Sequence, residues 1–309
     1  MPHTPRPATT TESLESRLLL SSAVRTGGTL RVYGDAGVDN VITVGIDSTR
    51  KSVIVTINGA ETDIVLEDLK RVRIFGDTGN DSITIDESQS HFNVQTYIFA
   101  GDGDDRVRCR NERDYVEGGS GDDRISLGGG RNFGFGQAGA DVIDGGGQRD
   151  FISGGASADT LSGGGDRDQI QGDNGDDFIL GGYTDPALND TDIDGTGLST
   201  DDPAVISSDG SDLLYGGRGN DTIHGDSAKD VIVGGDGDDV LDGGGDRDEI
   251  FANAGNDTVS GGTDRDTLWG GAGDDILHSG GGSDEIHTGE MPRIDKFLAV
   301  ITPKVTDEL

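Results

Sequence analysis

Aspartate and glycine recur together at nine-residue intervals over most of the chain, and this spacing can do chemistry. Nonapeptides begin at residues 100, 109, 118, 127, 136, 145, 154, 163 and 172, and again at 207, 216, 225, 234, 243, 252, 261, 270 and 279. The sixth position is Asp in seventeen of the eighteen copies, and the eighth is Val, Ile or Leu in seventeen. Carboxylates and the carbonyls of glycine-rich turns are oxygen ligands of the kind that Ca²⁺ takes.

The same spacing predicts short strands that cannot be held together by apolar burial alone. In each nonapeptide the last three residues form a strand with the eighth side chain inward, and two nonapeptides close one turn of 18 residues. Burying two aliphatic side chains per turn offsets little of the entropy lost by ordering the backbone. Stacked aspartates would also repel one another at the strand spacing of about 4.8 Å. A flexible oxygen site suits Ca²⁺ better than Mg²⁺, which demands a tight octahedron.

The composition excludes several classes of partner. The chain has 309 residues, of which 54 are glycine and only 31% are hydrophobic, and its formal net charge is −35. Such a charge disfavours nucleic acid and anionic membrane. Cys109 is the single cysteine, so no intramolecular disulfide can form, and no apolar stretch is long enough for a transmembrane segment.

We divide the chain into four segments. Residues 1–26 are predicted to be disordered, and residues 27–99 to form an irregular β-rich cap on a solenoid, with strands at 30–33, 41–44, 53–57, 72–75 and 94–99. Residues 100–287 form the repeats, with 181–206 inserted, and 288–309 a C-terminal cap or tail with a strand at 297–302. Single copies at 34–42 and 76–84 indicate that the cap shares the solenoid axis.

Alternate nonapeptides must lie on opposite edges of such a roll. The first edge contains the repeats that begin at 100, 118, 136, 154, 172, 216, 234, 252 and 270, and the fourth position there is Gly in eight of nine. We predict that this edge binds Ca²⁺. The candidate ligands are Asp105, Asp123, Asp141, Asp159, Asp177, Asp221, Asp239, Asp257 and Asp275, together with the turn residues Gly101, Gly103, Gly119, Gly121, Gly217, Gly219, Gly235, Gly237, Gly271 and Gly273.

The second edge differs in two positions. Gly occupies the fourth position in only three of nine copies, and the fifth is basic in seven: Arg113, Arg131, Arg149, Arg167, Lys229, Arg247 and Arg265. We predict that Arg–Asp pairs replace most of the calcium there. The alternative is duplication of an 18-residue unit whose arginines are simply solvated.

The insert carries a separate candidate site. Asp190, Asp192 and Asp194 are followed by Gly195, with Asp201 at the twelfth position. This spacing matches the start of an EF-hand-type calcium loop, although Asp stands where Glu is usual. The alternative is an acidic surface loop.

No constellation of catalytic residues is found, and we predict that the protein is not an enzyme. The chain has neither Gly-x-Ser-x-Gly nor His-Glu-x-x-His, and its five histidines are scattered. Tyr215, Phe251 and Trp269 fall at ninth positions, where they could mark a binding face or simply pack on the surface.

The repeats resemble those of RTX or hemolysin-type calcium-binding proteins over about 190 residues, as in GGSGDDRIS at 118–126 and GGDGDDVLD at 234–242. This resemblance implies an all-β fold, a right-handed parallel β-roll that binds several Ca²⁺ ions and folds outside the bacterial cell. It does not imply toxicity, because the activity of such toxins lies in other domains. Residues 14–20, LESRLLL, resemble the LEPR-XLL segment of bacterial surface and secreted proteins, with Ser16 in place of Pro.

These observations favour a secreted, calcium-binding structural or adhesive protein at the cell surface or outside the cell, with calcium coupled to folding. Extracellular polysaccharide or surface matrix is the expected partner class. The alternative is a non-catalytic accessory or secretion module of an exported enzyme or toxin system. An ice-binding roll is disfavoured by the mixed residues at the seventh and ninth positions.

Overall fold

The computed structural model describes residues 22–47, 52–65, 68–86, 94–111, 113–182 and 210–289. Within these ranges all the regular secondary-structure elements are β-strands, and the 26 strands form two sheets of 13. No helix in the described part is long and apolar enough to cross a membrane. The all-β prediction is therefore confirmed.

Sheet A carries the strands that lead into the first edge. In spatial order its strands are β1 (Ser22–Thr26), β2 (Thr29–Tyr33), β6 (Arg71–Thr78), β8 (Gln95–Asp102), β10 (Asp114–Ser120), β12 (Phe133–Ala138), β14 (Phe151–Ala156), β16 (Gln169–Asn174), β18 (Leu213–Arg218), β20 (Val231–Asp236), β22 (Glu249–Ala254), β24 (Thr267–Ala272) and β26 (Glu285–His287).

Sheet B carries the strands that leave the first edge. Its spatial order is β5 (Ala60–Val65), β4 (Ser52–Ile57), β3 (Val41–Ile46), β7 (Ser82–Asp86), β9 (Arg106–Arg108), β11 (Arg124–Ser126), β13 (Val142–Asp144), β15 (Thr160–Ser162), β17 (Phe178–Leu180), β19 (Thr222–His224), β21 (Val240–Asp242), β23 (Thr258–Ser260) and β25 (Ile276–His278).

The repeats stack as a parallel roll with one turn every 18 residues. Ile125 pairs with Ile143 in sheet B, and Val116 pairs with Gly134 in sheet A. Across the insert the offset becomes 44 residues, as in Ile170 with Leu214, but the register is unchanged. The predicted stacked β-roll is confirmed, and the insert does not interrupt the stack.

The core is a column of eighth-position side chains. Ile143, Leu161 and Ile223 are completely buried, and each roll strand contributes about one such residue. Most of the N-terminal strands bury at least two apolar side chains, as in Val72 and Ile74 of β6. In the roll, the second inward position is occupied by the sixth-position aspartate, so the apolar core is narrower there.

The N-terminal segment extends both sheets. β1 and β2 form an antiparallel hairpin in sheet A. In sheet B, β4 pairs antiparallel with both β3 and β5. Because Ser22–Thr26 is a strand, the prediction that disorder extends to residue 26 is wrong for these five residues. The predicted strand at 297–302 lies outside the described residues.

The insert enters the stack after two repeat residues. The Gly181 amide donates to the His224 carbonyl, as the Gly163 amide does to that of Leu180 one turn earlier. A β-carbon added to Gly181 would lie 2.7 Å from Oδ2 of Asp212. Gly181 therefore takes the first position of the turn that Asp212 completes, whereas the sequence assigned it to the insert.

Candidate metal centre

A ladder of buried aspartates runs the length of the first edge. Oδ1 of each sixth-position aspartate accepts the backbone amide of the sixth residue one turn earlier, as in Asp123 to Asp141 at 2.8 Å. Nine such bonds join ten aspartates: Asp81, Asp105, Asp123, Asp141, Asp159, Asp177, Asp221, Asp239, Asp257 and Asp275. The nine predicted aspartates are thus brought into one column, which Asp81 extends by one turn.

The second carboxylate oxygen of these side chains has no hydrogen-bond partner. Oδ2 is buried and unsatisfied in every member of the column from Asp81 to Asp257. Each Oδ2 lies against the Cα of the first residue of its own repeat and beside the carbonyl of the first residue in the next turn. At Gly216, for example, an added β-carbon would clash with Oδ2 of Asp221 and lie 2.7 Å from the carbonyl oxygen of Gly234. A buried unpaired carboxylate oxygen is costly unless a cation or a proton compensates it.

The predicted glycines adopt conformations that other residues avoid. The second and fourth positions of all nine first-edge repeats have positive φ, as in Gly121 (119°) and Gly237 (140°). A β-carbon at Gly237 would clash with the Gly219 carbonyl oxygen one turn earlier. These glycines let successive turns approach until their carbonyls stack, which places many oxygens along the edge.

The contacts of Asn40 show which groups surround the inner end of a sixth-position side chain. Its Nδ2 donates to the carbonyl oxygens of Asp35 (3.1 Å), Val38 (2.9 Å) and Gly76 (3.3 Å), and to Oδ1 of Asp81 (2.9 Å). In this turn a nitrogen donor therefore faces four oxygen acceptors. An aspartate in the same place would face these four oxygen acceptors with a carboxylate oxygen, which is itself an acceptor. A bound cation would remove the resulting repulsion.

Burial perturbs the ionisation of the column. In the metal-free protein burial raises the pKa of Asp105 to about 7 and that of Asp123 to about 8, with neighbouring aspartates adding to the effect and backbone hydrogen bonds opposing it. The pKa values of Asp141 and Asp221 rise to about 6, also because of burial. Without a metal, many of these carboxyl groups would hold protons near neutral pH.

The second edge carries the same kind of ladder. Six amide-to-Oδ1 bonds join Asp150, Asp168, Asp212, Asp230, Asp248, Asp266 and Asp284. Oδ2 of Asp150, Asp248 and Asp266 is again buried and unsatisfied. Burial raises the pKa of Asp150 to about 9, which the positive charge of Arg131 does not offset.

The basic residues of the second edge do not neutralise these aspartates. Arg149, Arg167, Arg247 and the other fifth-position basic side chains are exposed to solvent. In the described part of the chain, no basic side chain forms an ion pair within 4 Å of Asp150, Asp248 or Asp266. The predicted Arg–Asp pairs are therefore wrong for these turns, because the carboxylate points inward and the guanidinium outward.

Backbone conformation explains why the second edge accommodates residues other than glycine at the fourth position. There φ is 71° at Gln148 and 70° at Asp166, within the left-handed region that some other residues tolerate. On the first edge it reaches 149° at Gly175, a value suited only to glycine. The difference in glycine content therefore reflects two turn conformations, while both edges retain the aspartates.

Sequence reasoning also missed a second ladder on the first edge. Fifth-position side chains accept the amide of the fifth residue one turn later, as in Asp104 with Asp122 (3.0 Å) and Asp238 with Asn256 (2.7 Å). The restriction of this position to Asp, Asn or Ala was the available signal. These exposed side chains tie the turns together from outside the aspartate column.

A calcium ion on either edge must draw on backbone oxygens. Within the described ranges, no three Asp, Glu, His or Cys side chains converge as a metal-binding group. The candidate oxygens are instead one inward carboxylate per turn and stacked turn carbonyls, a mixture that suits the six to eight ligands of Ca²⁺. Asp190, Asp192, Asp194 and Asp201 lie outside the described residues.

Comparison with family models identifies these turns. The model of the RTX calcium-binding nonapeptide repeat (4 copies) matches residues 99–134, 126–161, 135–170, 153–182, 206–241, 224–259 and 251–286, which together cover more than half of the chain. The chain belongs to this family. RTX nonapeptide repeats bind Ca²⁺, and this chain contains many of them. Comparison with curated proteins finds no match.

Family membership accounts for the geometry of both edges. The RTX repeat is a structural repeat, typically non-catalytic and typical of secreted bacterial proteins. Its Gly-Gly-x-Gly-x-Asp turn has glycine at most first-edge positions where φ is positive and Asp where a carboxylate points inward. Both features are found here, so the residues present fit bound calcium.

Proposed function

We propose that this protein is an extracellular structural or adhesive repeat protein whose roll folds as Ca²⁺ binds between its turns. The observation that supports this most strongly is the column of buried carboxylate oxygens without a hydrogen-bond partner along the first edge, with those of Asp150, Asp248 and Asp266 on the second. Calcium supplies the positive charge that these oxygens need. Without it, each added turn would bury another uncompensated acidic group.

We assign the ligands from the ladder geometry. Oδ1 of Asp239 faces the preceding turn, where it accepts the Asp221 amide. Its Oδ2 lies beside the carbonyl of Ala252 in the following turn. Each sixth-position carboxylate therefore borders two gaps between turns. The carbonyls of the first, second and fourth positions complete the shell, by analogy with the oxygens around Asn40.

The same arrangement supports a role outside the cell. Extracellular calcium modules have dissociation constants of about 10⁻⁴ to 10⁻³ M. A site assembled from separate turns gains affinity only when those turns are already ordered, so binding and folding are linked. The chain would then stay unfolded at low calcium and fold where calcium is abundant.

The folded roll would present long, regular surfaces to a partner. The outer face of sheet A carries a row of aromatic side chains that includes stacked Tyr33, Phe75 and Phe99, with ring centroids 5.1 Å apart. The surface is otherwise strongly acidic. Extracellular polysaccharide or surface matrix, joined through calcium, is the partner class that we propose.

Calcium-coupled folding is tested by far-UV circular dichroism and sedimentation velocity on metal-free protein. We expect Ca²⁺ to produce a cooperative rise in β-signal and a compact species, and Mg²⁺ at equal concentration to produce neither. Binding to isolated bacterial surface polysaccharide is then measured with and without calcium. A metal-free protein that is already compact and β-rich at neutral pH would refute the coupling.

A further inference from the structure

We propose that Asn40 and Asn132 mark the N-terminal ends of the two calcium columns, and that the N-terminal turns containing β2, β6 and β7 are held together without calcium. Each asparagine places a carboxamide where other turns place a metal-binding carboxylate. The inference rests on the proposed calcium sites between aspartate turns. Beyond those sites, it states which turns need calcium to fold and at which end of the roll folding begins.

Asn40 is the first member of the first-edge ladder. Its backbone amide donates to Oδ1 of Asp81 at 2.6 Å, the same bond that links successive aspartates further along. It is 1% exposed. A β-carbon added to Gly34 would lie 2.6 Å from Nδ2 of Asn40, just as first-position glycines elsewhere face Oδ2 of Asp. Asn40 therefore stands in the place of a ligand aspartate.

The carboxamide satisfies this place without an ion. Nδ2 has four oxygen acceptors within 3.3 Å, three of them backbone carbonyls. Oδ1 accepts the Asp35 amide at 2.9 Å and Nδ2 of Asn58 at 3.1 Å. Every polar atom of the side chain is thus paired, whereas the Oδ2 atoms from Asp81 to Asp257 are not.

Asn132 repeats this arrangement on the second edge. Its backbone amide donates to Oδ1 of Asp150 at 2.7 Å, and Nδ2 reaches the carbonyls of Leu127 and Gly130 at 3.4 Å. From Asp150 onward the ladder consists only of aspartates. Each edge therefore has one asparagine directly before its continuous run of aspartates.

The turns on the N-terminal side have an apolar core in place of the aspartates. On the second edge the column of Asp150 and Asn132 continues toward the N-terminus as Asp114, Thr96, Val72 and Leu30. Val72 and Leu30 are completely buried. Burial of apolar side chains stabilises these turns by an amount that does not depend on calcium. They offer a preformed edge on which the first calcium-bound turn can order.

The first test measures the number of calcium ions gained when each asparagine is replaced by aspartate. Asn40→Asp restores an acidic ligand opposite Asp81, and native mass spectrometry of the calcium-saturated full chain should show one more Ca²⁺ than in the unsubstituted protein. Asn132→Asp would link to aspartates on both sides, Asp114 and Asp150, and should raise the count by two. The control is Asn220→Asp, which adds an equal charge at an exposed fifth position and should leave the ion count unchanged. Unchanged counts in both test variants would overturn the proposal.

The second test locates the calcium-independent part. Hydrogen exchange of the full chain in chelator should show protected amides in β2, β6 and β7 and rapid exchange in β18 to β26. Equally rapid exchange in β2, β6 and β7 would overturn the proposal while leaving calcium-coupled folding intact. Protection of β18 to β26 without calcium would instead refute calcium-coupled folding, and the ion counts would still decide the role of Asn40.

Discussion

Replacing one carboxylate in the middle of the column isolates the contribution of calcium from that of the fold. In Asp239→Asn, Oδ1 can still accept the Asp221 amide, so the ladder bond is retained. The buried Oδ2 becomes an amide that can donate to carbonyls, as Asn40 does. What is lost is a negative charge shared by the two gaps between turns that Asp239 borders.

The size of the effect follows from mass action. A site contributes about 2.7 kcal/mol when calcium is at about 100 times its Kd. Loss of two sites therefore lowers the free energy of unfolding of calcium-loaded protein by about 5 kcal/mol. In chelator the sign reverses, because Asp239→Asn removes a buried carboxyl group whose pKa is raised to about 7 by burial.

The matched control lies one residue away. Asp238 is exposed, and its Oδ1 accepts the Asn256 amide, a bond that Asn also makes when it occupies this position at Asn220. Asp238→Asn should change stability by less than about 0.5 kcal/mol. Thermal or urea unfolding at saturating calcium measures both variants, and circular dichroism in chelator shows whether Asp239→Asn recovers any of the β-signal that the metal-free protein lacks. Equal stability of Asp239→Asn and Asp238→Asn at saturating calcium would show that Asp239 does not bind the ion.

Further predictions concern pH, turn geometry, the second edge and the core. Burial raises the pKa of Asp123 to about 8 and of Asp141 to about 6, so the metal-free fold binds more protons than the unfolded chain. Its stability should be greatest below about pH 4 and decline as pH rises through 6 to 8; a metal-free circular dichroism signal that grows with pH would contradict this. Gly121→Ala should weaken calcium-induced folding by more than about 1 kcal/mol, because φ is 119° and the new methyl clashes with the Gly103 carbonyl; unaltered calcium midpoints would show that the turn can relax. Arg167→Gln should leave calcium-loaded stability within about 0.5 kcal/mol, since the side chain is exposed; a loss of several kcal/mol in urea unfolding would restore the Arg–Asp pairing hypothesis. Ile250→Ala removes a completely buried side chain and should destabilise the calcium-loaded roll by about 2 to 5 kcal/mol; a loss below 1 kcal/mol, measured in the same way, would mean that the column is loosely packed.

The repeat could be predicted from sequence because its two constraints are local. An inward aliphatic residue at the eighth position and an aspartate at the sixth, each found in seventeen of the eighteen copies, fix both the 18-residue turn and its edges. Register across the insert followed as well, since Ile170 and Leu214 keep the same parity on either side. Periodicity alone therefore determined which aspartates share a column.

The position of Asn40 was missed because one residue is added in its turn. Aligning residues 34–42 as a nonapeptide puts Asp39 at the sixth position, but the structure places Asn40 there and gives Asp39 the fifth-position role of accepting the Asn80 amide. The sequence did not discriminate between the two alignments, because Val41 and Ile42 are both aliphatic. In the structure Ile42 is completely buried and Val41 is 56% exposed, which places Ile42 at the eighth position and Asn40 at the sixth.

The Arg–Asp pairing failed for a different reason. Adjacent residues in a sequence suggest a pair, but neighbours such as Arg149 and Asp150 project to opposite sides of the turn, one exposed and one buried. Side-chain direction in an irregular turn depends on φ at the preceding residue, which is 71° at Gln148. That angle cannot be read from the sequence, so the directions of the second-edge side chains could be established only from the structure.

Native mass spectrometry of the calcium-saturated protein counts its bound ions and so shows whether both aspartate columns hold calcium. The first edge has nine aspartate-to-aspartate links and the second has six. If each link encloses one ion, the count is close to fifteen. A count near nine would confine calcium to the first edge and contradict its binding on the second, and a count of only one or two would contradict its binding on both.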